Sequence, residues 1–173
     1  MRGFTLIEVL VVAAITVMIT GFLITNFSRS RVDLNQVALT TVDAIREAQS
    51  QALSGSLLRG TYRCGYGIHF DATSYVLYAG PDSATVDCAA ADRNYNAGTN
   101  AVVRQAFLPN NVLEFVLPIP DIFFEPPNPT TYIGGSNTAG TFTTIDIRRK
   151  DAQCPSADCR SIVVSTSGRI QTH

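Results

Sequence analysis

Four cysteines, one internal histidine, a group of four cations and one carboxylate inside an apolar run are the residues of this 173-residue chain that could carry chemistry. Cys64, Cys88, Cys154 and Cys159 form an even set, which in an exported domain favours disulfides over free thiols. Three pairings are open, and nearness along the chain points to Cys64 with Cys88 and Cys154 with Cys159. Zinc is the rival use of these residues, but no C-x-x-C pair is present and the only histidines are His69 and His173. No metal or other cofactor is expected. Catalysis needs a nucleophile, a base and a stabilising group within reach of one another. His69 falls where strand alternation would place an ordinary sheet residue, so no catalytic residue is assigned and the chain is not read as an enzyme. Arg148, Arg149, Lys150 and Arg160 lie near Asp146, Asp151 and Asp158, which reads as a solvated face. With a net charge of −1 the chain has no cationic surplus for phosphate contacts, so nucleic acid is not an expected partner. The remaining residue is Glu8, the one charge between Phe4 and Phe27.

The elements that must position these residues follow from the hydropathy pattern. Of the 24 residues from Phe4 to Phe27, 17 are apolar and none is proline. As a helix rising about 1.5 Å per residue this run covers about 36 Å, enough to cross a hydrocarbon core with some tilt. A carboxylate at the centre of such a span costs about 2.5–3.5 kcal/mol unless a cation offsets it. Beyond Phe27, Leu34, Ala38, Thr41, Ile45, Ala48 and Ala52 recur at spacings of three and four, while Gln36, Asp43, Glu47, Ser50 and Ser54 fall opposite. That spacing predicts an amphipathic continuation of the helix to about Ser54, with Gly55 and Gly60 beyond its end.

After Gly60 the apolar period shifts toward two and β-branched and aromatic residues increase. Tyr62 to Phe70 and Tyr75 to Ala79 are expected to form a hairpin. Further strands are expected at Ala101 to Phe107, Val112 to Leu117 and Thr141 to Ile147, and in a closing hairpin of Ser161 to Ser165 with Arg169 to Thr172. Five prolines between Pro118 and Pro129 surround Ile122, Phe123 and Phe124 and predict a stiff, irregular apolar segment. Its aromatics are expected in the core, with presentation to a neighbouring subunit as the alternative. A long helix followed by strands implies an α+β fold, the helix packed on an antiparallel sheet.

The run Gly3-Phe4-Thr5-Leu6-Ile7-Glu8-Val9-Leu10-Val11-Val12 resembles the processing motif of type IV pilins and the pseudopilins of type II secretion. The resemblance extends along the apolar helix to about Phe27. It implies cleavage by a prepilin peptidase between Gly3 and Phe4, N-methylation of Phe4, and Glu8 as the family's assembly glutamate; the cation that offsets Glu8 is expected to be the Phe4 amine of a neighbouring subunit, with its own chain's amine or the positive end of its own helix as the alternative. It also implies a pilin-like fold divided into a leader (1–3), a hydrophobic transmembrane and assembly half-helix (4–27), an amphipathic half-helix (28–58) and an antiparallel β domain (59–173). Many major pilins carry a glycine and a proline in the first half-helix, where Val17 and Thr25 stand here. That difference points to a minor pilin or pseudopilin, and the C-terminal hairpin looks like that of H-type pseudopilins. The implied partners are other pilin or pseudopilin subunits, the peptidase and methylase, and a membrane. The implied location is the inner membrane, single-pass, with the β domain extracytoplasmic, and after assembly a surface filament or pseudopilus. The alternative is an anchored extracytoplasmic binding domain that does not polymerise.

Overall fold

The computed structural model describes residues 6–109 and 112–173, with the backbone alone for 23–33. The helix α1 spans Leu6–Leu53. Its end is set by Gly55, which takes φ of 57° and lets the Gly55 N–H donate to the Ala52 carbonyl and the Ser56 N–H to the Gln51 carbonyl. These two bonds satisfy carbonyls that a helix end leaves without partners, and the left-handed position is one a glycine adopts without a Cβ clash.

The chain divides into two compact units, Met1–Asp33 and Leu34–His173. Within the second unit, Leu34, Ala38, Thr41, Ile45, Ala48 and Ala52 are all buried, as the three-four spacing predicts, and Val37, Val42 and Ala44 widen the stripe. Thr41 is tolerated there because its hydroxyl donates to the Val37 carbonyl at 2.9 Å.

Among the described residues eleven strands follow the helix: β1 Leu57–Leu58, β2 Thr61–Tyr62, β3 Tyr66–Phe70, β4 Ser74–Ala79, β5 Ala101–Phe107, β6 Leu113–Phe115, β7 Ile122–Glu125, β8 Thr130–Ile133, β9 Phe142–Arg149, β10 Cys159–Ser165 and β11 Ile170–Thr172. They form a two-stranded ribbon β1-β2, a four-stranded sheet β11-β10-β9-β6 and a five-stranded sheet β5-β4-β3-β7-β8, with every pairing antiparallel. One core joins the helix stripe to alternate residues of both larger sheets: Ile68, Leu77, Ile122 and Phe124 from one, Ile145, Ile147, Ile162 and Val164 from the other.

The expected α+β, pilin-like fold is corrected. The unit 34–173 is mostly β, its strands divided among three antiparallel sheets, and the helix stripe is covered by more than one of them. Among the described residues no helix is long and apolar enough to cross a membrane. The expected single-pass membrane anchor is corrected on the same finding.

Two local expectations are also revised. The segment between the prolines is no irregular loop: Ile122–Glu125 pairs on one side with β3 and on the other with β8, and Ile122, Phe123 and Phe124 are buried. The four-residue strand fits among the five residues between Pro120 and Pro126 without placing a proline in the ladder, so both edges of β7 keep their N–H donors. The first expected strand, Tyr62 to Phe70, is broken after Tyr62, where Cys64 turns into a disulfide before β3 begins.

β4 is buried at all six positions, which one-sided alternation cannot produce. Its Tyr75, Leu77 and Ala79 face the helix core, whereas Val76 and Tyr78 join Phe123 in a second cluster on the opposite face. Tyr95, from the connection between β4 and β5, and Tyr132 of β8 pack against that cluster. A sheet covered on both faces loses the polar alternation of a half-solvated one. Gly67 of β3 is part of this packing, because a Cβ there would meet the Tyr78 ring at 2.5 Å and the Ile122 carbonyl oxygen at 2.8 Å.

Candidate functional site

Gly3 and Phe4, the residues of the expected cleavage and methylation, lie outside the described residues. Glu8 is in the first turn of α1 and is exposed. Around it, Leu6, Ile7, Val9, Leu10, Val11 and Val12 are exposed, and so are Ile15, Val17, Met18, Ile19 and Phe22 further along. Successive positions of a helix point in every direction, so this segment presents apolar side chains all round rather than on one stripe. Its hydroxyls do not interrupt that surface: Thr16 donates to the Val12 and Ala13 carbonyls at 2.9 Å and Thr20 to the Thr16 carbonyl at 2.7 Å. A helix apolar on all faces is stable when other apolar matter surrounds it. The carboxylate of Glu8 lies close to the positive end of the helix and offers two acceptor oxygens to a cation.

In the second unit the structure joins Cys64 to Cys88 and Cys154 to Cys159. The first bridge ties the β4–β5 connection to the entry of β3. Next to it, Asp87 caps a short 3-10 turn, Cys88–Ala90, accepting from the Ala89 N–H at 3.0 Å. Arg93 then clamps the connection: its guanidinium donates to Glu125 at 3.0 Å, lies 4.3 Å over the Tyr132 ring, and bonds the Ala91 carbonyl at 3.1 Å. Beneath it the Tyr78 hydroxyl donates to the Arg93 carbonyl at 2.8 Å. Burial, reinforced by Asp121 and Asp92, pushes the Tyr78 phenol far above its ordinary range, so Tyr78 stays neutral and a donor.

His69 is on the face of β3 that the connection covers. Its Nδ1 lies 2.6 Å from Asp121 Oδ1, its Nε2 lies 3.5 Å from Asp71 Oδ1, and its ring stacks on Tyr95 with centroids 4.8 Å apart. The other Asp121 oxygen accepts from the Tyr95 N–H at 2.7 Å, so one carboxylate holds both stacked residues. The Ser74 hydroxyl donates to Asp71 Oδ2 at 3.2 Å, and all four cysteines are in disulfides. Sequence reasoning placed His69 in its strand but missed Asp121 and Tyr95, because neither is near it in the chain.

Three of the four residues of the basic group meet partners. Arg148 meets Glu114 at 2.8 Å, Arg149 meets Asp158 at 3.4 Å and Arg160 donates to Asn35 at 2.7 Å. Among the described residues the one grouping of three metal-ligating atoms within 4.8 Å of one another is Asp146, Cys154 and Cys159, and its two sulfurs are bonded to each other. Comparison with protein-family models, curated proteins and solved structures finds no match. The functional reading therefore rests on the motif around Glu8 and on the geometry just described.

Proposed function

We propose that the chain is a structural subunit, a minor pilin or pseudopilin, of a type IV pilus or type II secretion pseudopilus, processed after Gly3 and assembled through the leading part of α1. One observation supports this above the others: the helix exposes apolar side chains on every face and carries a single carboxylate in its first turn. Packing such helices side by side removes that surface from water, at roughly 25 cal/mol per Å². In that setting Glu8 cannot be left without a cation, and a new amine at Phe4 on a neighbouring subunit supplies one, which sets the register of the stack. The peptidase, the methylase and sibling subunits are the partners in this reading. The two disulfides suit an oxidising compartment and hence an extracytoplasmic place for the unit 34–173.

The test is to express the chain with a prepilin peptidase and sibling subunits, then sequence the mature N-terminus and assay recovery in sheared filaments. The expected outcome is a methylated Phe4 terminus and loss of incorporation in Glu8→Val with processing intact. An unprocessed Met1 terminus, or normal incorporation of Glu8→Val, would overturn the proposal.

A further inference from the structure

We propose that His69 and Asp71 form one edge of a binding site for a divalent transition-metal ion of the zinc or copper type, with Asp121 as the carboxylate that orients the imidazole. The contact of His69 Nδ1 with Asp121 Oδ1 at 2.6 Å requires a proton between them, since a carboxylate only accepts. In the neutral ring that leaves the lone pair on Nε2. Nε2 faces Asp71 Oδ1 at 3.5 Å, beyond the usual length of an N–H···O bond. Two Lewis bases thus lie 3.5 Å apart with no hydrogen bond between their near atoms, a separation that one shared cation would span. Ligands bound at about 2.0–2.1 Å to a tetrahedral centre lie about 3.3–3.4 Å apart, close to the separation found.

The surroundings favour an ion of this class. A carboxylate behind the imidazole is the usual outer partner of a metal-bound histidine. The ring cannot swing freely, because it stacks on Tyr95 and Asp121 holds the Tyr95 N–H. Asp71 is held by the Ser74 hydroxyl and by its own N–H to the Ser74 carbonyl at 2.9 Å. The His69 side chain is 28% exposed and that of Asp71 54%, so an ion can enter and water can fill the other coordination positions. One imidazole nitrogen and one carboxylate oxygen suit zinc or copper, whereas calcium and magnesium prefer oxygen alone.

Titration calorimetry of the purified, chelator-treated full chain with zinc chloride tests the assignment, with circular dichroism to check that each variant is folded. One equivalent of zinc is expected to bind. His69→Gln and Asp71→Asn should each weaken it by at least about tenfold and Asp121→Asn by about 10- to 100-fold, while His173→Ala leaves it unchanged. On the wild-type chain, copper(II) should broaden the NMR signals of His69 and Tyr95 first, a readout that needs no variant. Absence of binding at millimolar zinc, binding that survives both His69→Gln and Asp71→Asn, or broadening confined to His173 would overturn the proposal.

Discussion

Glu47 on α1 and Arg104 on the edge strand β5 meet at 2.6 Å, joining residues 57 positions apart across the side of the core. The contact brings a helix position that periodicity assigns to solvent against a strand whose opposite edge has no partner strand in its sheet. Both side chains stay well exposed, at 39% and 45%, so water screens the pair. Glu47→Gln is therefore expected to lower the unfolding free energy by less than about 1 kcal/mol. Urea unfolding at low and high salt checks this, since the difference from wild type should shrink as salt rises.

Tyr78 should give the protein an alkaline limit. Its phenol titrates higher in the folded state than in the unfolded chain, so its stabilisation is full below the unfolded value of about 10 and falls as pH rises beyond it. Each pH unit in that window removes about 1.4 kcal/mol for this group. Tyr78→Phe should be less stable by about 1–3 kcal/mol at neutral pH, because the part-buried Arg93 carbonyl loses its donor, and should show a shallower alkaline decline. Denaturant midpoints at pH 8 to 11 separate the two effects, and equal slopes in both proteins would contradict this account.

The two disulfides should contribute unequally. Cys64 and Cys88 are 24 positions apart and Cys154 and Cys159 only 5, so the first closes the longer loop in the unfolded chain. Replacing Cys64 and Cys88 with alanine should cost about 3 kcal/mol, and replacing Cys154 and Cys159 about 2 kcal/mol. Thermal unfolding of the two double variants gives the order, and a larger loss from the second pair would contradict it.

Gly67 allows β3, β7 and the Tyr78 ring to approach closely. Adding one methyl group in Gly67→Ala forces the ring or the Ile122 carbonyl to move, at an expected cost of about 1–3 kcal/mol. Combining Gly67→Ala with Tyr78→Leu should recover part of that loss, because the ring that the methyl group meets is gone. A purely additive pair in chemical denaturation would show that the strain lies elsewhere.

What the sequence determined by itself is what depends on near neighbours. The three-four spacing from Leu34 to Ala52 marks the buried stripe, Gly55 marks the end of the helix, and the polar turns after Phe70 and Ser165 mark two hairpins. The tertiary structure alone decided which distant segments meet. Prolines around Ile122–Glu125 read locally as an irregular segment, but the free edge of β3 makes that segment a strand. Residues on the second face of β4 read as ordinary alternation until the connection carrying Tyr95 covers them. His69 looked like an isolated sheet residue, and its carboxylate partner lies 52 positions away. Helix periodicity and turn chemistry are encoded within a few residues, whereas sheet order and cross-strand partners depend on long-range burial that no short window contains.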